Sequence, residues 1–296
     1  MYFLNSIFIK IKFYLLININ IKMASKNICA PNISIKNHWT CFTLDELKEI
    51  ANAFNIYIQN NKICGKNTCV SKNKIPIENK TKLQLWKSIY NKLKPICKYE
   101  NCWIDLDFIK RIDDLNLREK IKYFTFKPKM NKHYNKWLNT KDINAVLQQY
   151  QEVYKTFNFL GALPSDFYKI VKLKWSDLYK YKKIGIIFNL DEHNKTGSHW
   201  VSFLIDNTSK SIEYYDSVGD KPNKNIEEFI HKISKLFKNK YTVKINNLKN
   251  QYGNSECGVY AMYYIIERLS GNSFEKITSN IIKDDEIKKF RKHFFI

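Results

Sequence analysis

Between Ile184 and Ile245 the apolar positions change period several times, and the changes mark out the elements. Ile184 to Leu190 is a β-branched and aromatic run, the composition of a buried strand. His199 to Ile205 and Ser211 to Asp216 alternate apolar with polar, and Asp206-Asn207-Thr208-Ser209 between them has turn chemistry. Setting Ile205 opposite Lys210 pairs Phe203 with Ile212, Val201 with Tyr214 and His199 with Asp216, all on one face. A slip of one residue in one strand would turn its apolar set outward, so the pattern itself puts His199 beside Asp216. Asn225 to Phe237 returns to a helical period, and Tyr241 to Ile245 reads as another strand. The polar loop 246–256 leads into Cys257, and Val259 to Leu269 reads as a buried helix that stops at Gly271. Asp284 to His293 predicts a closing helix. Strands alternating with helices point to a layered α+β or α/β structure.

The first third reads differently. Thr43-Leu44-Asp45-Glu46 is a capping box, and the helix it opens carries Leu44, Leu47, Ile50, Phe54 and Ile58 on one face. Thr81 to Leu93 predicts a second helix, stopped at Pro95. Together they form a helical arm over residues 23–125, ahead of a larger domain over 126–296. Residues 1–22 are apolar but interrupted by Lys10 and Lys12, short of the roughly 20 uninterrupted residues of a membrane span. They read as an upstream extension or a weak interfacial anchor. Leu44-x2-Leu47 and Lys82-Leu83-x-Leu85-Trp86 also resemble a SAP-type DNA-binding module; the other reading is a structural or substrate-positioning arm.

Composition adds a globular chain, 44% hydrophobic, with a net charge of +22. That charge favours nonspecific contact with a polyanion such as DNA. Its basic residues are nearly all Lys, with Arg only at 111, 118, 268 and 291, which argues against base-specific reading. Joint enrichment of Lys, Asn and Ile has the look of AT-rich coding. Six of the seven cysteines lie in the first 102 residues. With no recognisable secretory peptide they are expected as free thiols in a reducing compartment. Cys64-x4-Cys69 and Cys97-x4-Cys102 offer four thiolates to a structural zinc as a further possibility.

The seventh, Cys257, follows a Gly-containing loop and begins a helix, where the backbone dipole favours thiolate. His199 can take its proton, and Asp216 can hold the His199 ring and its charge. Gln251 and the Cys257 backbone N–H can donate to a tetrahedral oxyanion. Trp200, next to the base, can wall a tunnel for a small extended residue. Each of these residues has an ordinary structural explanation when taken alone; the hairpin pairing and the Cys loop are independent signals that converge. The chemistry asks for no cofactor and no metal.

Gly197-Ser198-His199-Trp200, Ile212-Glu213-Tyr214-Tyr215-Asp216-Ser217, Gln251-x5-Cys257-Gly258 and Phe290-Arg291-x-His293 resemble the SUMO-protease and adenain family of cysteine proteases. Within it they are most similar to the branch in large DNA viruses that includes the polyprotein-processing protease of African swine fever virus. The resemblance implies an α+β, papain-like or adenain-like core, a central mixed sheet flanked by helices, with the helical arm in front. It implies His199 as base, Asp216 as orienter, Gln251 in the oxyanion hole and Cys257 as nucleophile. The swine fever enzyme has Asn where this chain has Asp216; cellular SUMO proteases have Asp. The implied function is a cysteine endopeptidase cutting after Gly-Gly or Gly-Ala motifs in viral structural polyproteins during virion maturation, in the host cytoplasm at the viral factory and in the virion. The alternatives are an isopeptidase acting on SUMO or ubiquitin-like conjugates, and a basic DNA-associated structural protein.

Overall fold

The computed structural model describes residues 28–31, 39–130 and 136–296 of the 296-residue chain. The expectation for residues 1–22 lies outside the described residues. The chain divides into two compact units, Met1–Lys127 and Pro128–Ile296. Among the described residues no helix is long and apolar enough to cross a membrane.

The first unit is built on two capped helices, α1 (Leu44–Asn60) and α2 (Lys82–Leu93). Thr43 and Thr81 each close a full capping box, with Glu46 and Gln84 returning the bond. Leu47, Ile50 and Phe54 of α1 and Leu85, Trp86 and Ile89 of α2 are buried with Trp103 and Phe108. Leu47, Leu85 and Trp86 of the SAP-like pattern are therefore core residues, while Leu44 and Leu83 are half-buried. Glu100 is buried among them, its carboxylate accepting from Trp86 Nε1, Thr40 Oγ1 and the Cys41 amide. Burial raises its pKa against the pull of these bonds.

The six cysteines here correct the sequence reading. They are neither free nor gathered round a metal but paired as Cys29–Cys41, Cys64–Cys69 and Cys97–Cys102, with Cα atoms 5.4, 3.9 and 5.9 Å apart. Cys64 and Cys69 face each other across a tight hairpin, so the repeated spacing reflects local closure of each pair. Paired in this way, the six cysteines give no ground for the expectation of free thiols in a reducing compartment.

The second unit is a five-stranded mixed sheet in the order β1 (Phe157–Pro164), β2 (Lys183–Asn189), β3 (Trp200–Asp206), β4 (Ser211–Tyr215), β5 (Thr242–Ile245). The three central strands are antiparallel and both outer pairs are parallel. Helix α3 (Thr140–Val153) precedes β1, and neither element was read from the sequence. Helix α4 (Lys224–Leu236) covers one face, burying Ile226, Phe229 and Ile233 against Phe203, Ile205, Ile212 and Tyr214. On the other face α3 and α5 (Cys257–Leu269) share a core with Leu204 and Tyr215, and the closing helix α6 (Asp284–Phe294) packs beside α5.

The β3–β4 register is a second correction. Phe203 faces Tyr214 and Ile205 faces Ile212, two residues further along β4 than the pattern suggested. The reason is the turn: Asp206 Oδ1 accepts from the Thr208 and Ser209 amides, Lys210 takes φ 52°, and β4 starts at Ser211 opposite Asp206. A two-residue shift preserves the face of every side chain. His199 and Asp216 thus stay on one side of the sheet without being direct partners across it.

Candidate active site

Cys257 is the first residue of α5 and is 2% exposed. Two buried anchors fix α5 to the sheet beneath it. Ser202 Oγ of β3 donates to the Ala261 carbonyl at 2.8 Å. Arg268 donates through Nε and Nη2 to both oxygens of Glu213, at 2.7 and 2.8 Å, and Tyr264 adds its hydroxyl to Oε2 at 2.6 Å. Before the cysteine, the Glu256 carboxylate accepts from Arg291 Nε and Nη2 at 3.1 and 2.8 Å, with both residues buried. Arg291 Nη2 also donates to the Ser255 carbonyl at 3.0 Å. After it, Gly258 is tightly packed: a Cβ there would sit 3.2 Å from Leu138 Cβ and 3.4 Å from Trp200 Cδ1, so a neighbour would have to give way.

His199 stands at the mouth of β3. Gly197, at φ 94°, turns the chain into position where a Cβ would lie 2.6 Å from the Asn189 side chain. The His199 carbonyl accepts from the Leu190 amide at 2.9 Å. The ring places Nε2 2.7 Å from Asp216 Oδ1 and also hydrogen-bonds Cys257, so Nδ1 is the nitrogen left to serve the sulfur. Burial of the ring opposes its charge, but the hydrogen bonds and negative charge of Asp216 and Cys257 outweigh burial and hold His199 up at about 10.

Asp216 is fully buried, and its backbone is clamped by Asn246, which accepts from the Asp216 amide at 2.7 Å and donates to its carbonyl at 2.8 Å. Asp216 Oδ1 also accepts from the Val218 amide at 3.0 Å. Oδ2 and the buried Tyr214 hydroxyl lie on the same face, and among the described residues neither has a partner at full hydrogen-bonding geometry. Burial and then the Asp216 charge push the Tyr214 phenol upward.

Gln251 is buried and its amide is oriented from both ends: Ser217 Oγ donates to Oε1 and Nε2 donates to the Gly253 carbonyl, each at 2.7 Å. One Nε2 hydrogen is thereby used and a second remains. Trp200, 6% exposed, donates its indole N–H to the Leu138 carbonyl at 2.8 Å. It lines a cavity of about 540 Å³ together with Trp137, Ala162, Pro164, His193 and Gly197. The structure thus brings His199, Asp216 and Cys257 into one hydrogen-bonded chain, with Trp200 at the edge of an adjoining cavity. Sequence reasoning missed Trp137, His193 and Asn246. The start of α3 could have flagged the first: Trp137-Leu138 runs into Asn139, which closes a capping box with Asp142. His193 is held by Asp166, its ring 2.6 Å and its amide 3.0 Å from the two carboxylate oxygens, a pairing 27 residues apart that no local pattern announces.

Residues 115–296 match the model of the Ulp1 protease family, C-terminal catalytic domain. The chain belongs to the Ulp1 protease family. A thiol protease of Acanthamoeba polyphaga mimivirus is 32% identical over 283 residues, covering 91% of this chain and 93% of that protein. The SUMO-1 cysteine protease of African swine fever virus is 35% identical over 117 residues, 38% of this chain and 43% of its own. A crystal structure of the African swine fever virus protease matches 92% of this chain and 96% of its own with a TM-score of 0.62 and 23% identity, a likeness of fold. This Ulp1-family chain is therefore a cysteine-type peptidase, its mixed sheet flanked by helices as in that fold.

Proposed function

We propose that the chain is an endopeptidase that cuts viral structural polyproteins after Gly-Gly or Gly-Ala motifs during particle maturation, in the host cytoplasm at the viral factory and in the virion. The observation that supports this reading is a buried thiol whose next residue packs on an indole that also lines a cavity. Cys257 is 2% exposed, Gly258 after it lies against Trp200, and Trp200 lines the cavity together with Trp137. An extended chain entering there fits best when the residues before the cut lack bulky side chains.

In the proposed reaction the Cys257 thiolate attacks the scissile carbonyl while His199 stays protonated on Asp216. Gln251, through its second Nε2 hydrogen, and the Cys257 amide donate to the oxyanion. The thioester forms as the C–N bond breaks, and His199 gives its proton to the departing amine. Water, deprotonated by His199, attacks the thioester; the C–S bond breaks, the acid leaves and the thiolate–imidazolium pair returns.

A second reading, removal of a ubiquitin-like modifier, is supported by the name of the African swine fever relative and by the family itself. An internally quenched Gly-Gly-X peptide and a SUMO conjugate, offered in parallel, separate the two. Cleavage of the peptide with the conjugate intact upholds the endopeptidase; the reverse pattern replaces it with the isopeptidase. Turnover retained by Cys257→Ala on either substrate defeats both.

A further inference from the structure

The first unit carries its charge unevenly. Residues 61–98 hold ten Lys and one acidic residue, Glu78, so ten minus one leaves +9. The remaining described residues of that unit with charge, 39–60 and 99–127, hold seven basic and nine acidic residues, a net of −2. A coding bias toward Lys raises the charge throughout a chain; it does not separate the two signs within one small unit. Lys62, Lys66, Lys72, Lys74, Lys94 and Lys98 are all exposed, and none of the six is in an ion pair among the described residues.

The fold brings these lysines together from two stretches. Residues 63–70 form a hairpin, closed by the Cys64–Cys69 disulfide and by Val70 N–H to Ile63 O and Gly65 N–H to Thr68 O, both 2.8 Å. This hairpin lies on the end of α2. A Cβ at Gly65 would sit 3.1 Å from Ile96 Cγ2, and Lys92 Nζ donates to Ser71 Oγ at 2.7 Å. Lys66 at the hairpin tip and Lys72 after it therefore share a surface with Lys94 and Lys98 beyond the helix. The lysines stand on a cross-linked support, so little backbone freedom is lost when they engage a partner.

We infer that this surface binds nucleic acid through its phosphate backbone, without reading sequence. Lys supplies point charges suited to phosphates, and residues 61–98 contain no Arg, the side chain that reads bases in bidentate fashion. Tyr99, 66% exposed beside Lys98, offers a ring on which an unpaired base can stack. A membrane surface is disfavoured because no large apolar side chain is exposed within residues 61–98 to enter the headgroup layer. The site lies on residues apart from the peptidase groups, and the inference does not rest on the proposed substrate.

The test is fluorescence anisotropy of the full chain against a labelled oligonucleotide, single-stranded and duplex, between 50 and 200 mM salt. Binding should weaken with salt, with a log–log slope near −0.9 for each phosphate neutralised on duplex DNA. Reversing Lys66, Lys72, Lys94 and Lys98 to Glu should lower affinity by roughly 10-fold to 100-fold and flatten the slope by about one per lysine. A matched variant reversing Lys235, Lys238, Lys240 and Lys292, on the second unit, changes net charge equally and should stay within about threefold of the parent. Both variants should keep the parental circular dichroism melt and peptidase rate. The inference is overturned if the parent shows no affinity at 50 mM salt, if the two variants lose affinity equally, or if poly-glutamate or phosphatidylserine vesicles bind as tightly as the oligonucleotide.

Discussion

The hydrogen bond from His199 Nε2 to Asp216 Oδ1 at 2.7 Å, together with Cys257 and against burial, sets the pH behaviour expected of the site. Held up at about 10 against an ordinary 6.5, His199 contributes stability that is complete below about pH 6.5 and is lost as pH rises through about 10. In the proposed reaction the imidazolium protonates the leaving amine, so activity should fall on the same alkaline limb. Asp216→Asn keeps the shape and removes the charge; the limb in kcat/KM should move down by about one unit or more, read from a pH–rate profile. Gln251→Ala should lower kcat by roughly 10²–10³ with little change in KM, because in the proposed reaction its donor serves the oxyanion and not the bound peptide. Unchanged kcat in purified Gln251→Ala would remove the amide from the mechanism. These residues were legible because the chemistry demands particular types: a thiol at a helix start, and an imidazole and an acid on one face of a ribbon. Asn246 was not legible, since a clamp on the backbone of Asp216 can be made by many polar residues and depends on a loop 30 positions away.

Hydrophobic period disclosed most of the elements of the second unit. α4, α5 and α6 begin within one or two residues of where the period places them, and β2, β3 and β4 likewise. The β3–β4 register was displaced by two because period fixes only the face, while the turn fixes the partner. β1 stayed hidden because its pairing with β2 breaks between Phe159 and Gly161, and it closes on Gly161, Ala162, Leu163 and Pro164, a poor strand pattern. The Glu213–Arg268 pair joining β4 to α5 was also out of view, although both residues were in hand: its partners are 55 positions apart and both buried. Arg268→Met leaves the Glu213 carboxylate buried without its cation and should cost about 3–5 kcal/mol, measured by urea unfolding. A loss under ~1 kcal/mol would show that Tyr264 and Ser211 alone can hold that charge.

Over the whole molecule the cysteines are divided by role: six are cross-linked in the first unit and one, Cys257, is free. Native oxidised protein should therefore show one titratable thiol, and seven after reduction and unfolding; three or more in the native protein would contradict the pairing. Each short loop closed in this way contributes roughly 2–3 kcal/mol, so a reductant should lower the melting temperature of the first unit and spare the second, as calorimetry would record. The Arg291–Glu256 bond has a different reach. Its two ends are 35 residues apart, with the loop before Cys257 at the earlier end and its brace at the later one. At a synthesis rate of ~5–20 residues per second, a growing polypeptide carries the sulfur for some seconds before the guanidinium that sets it in place has been made. Translation order therefore braces the sulfur late: the contact that holds its loop forms only once residue 291 has left the ribosome.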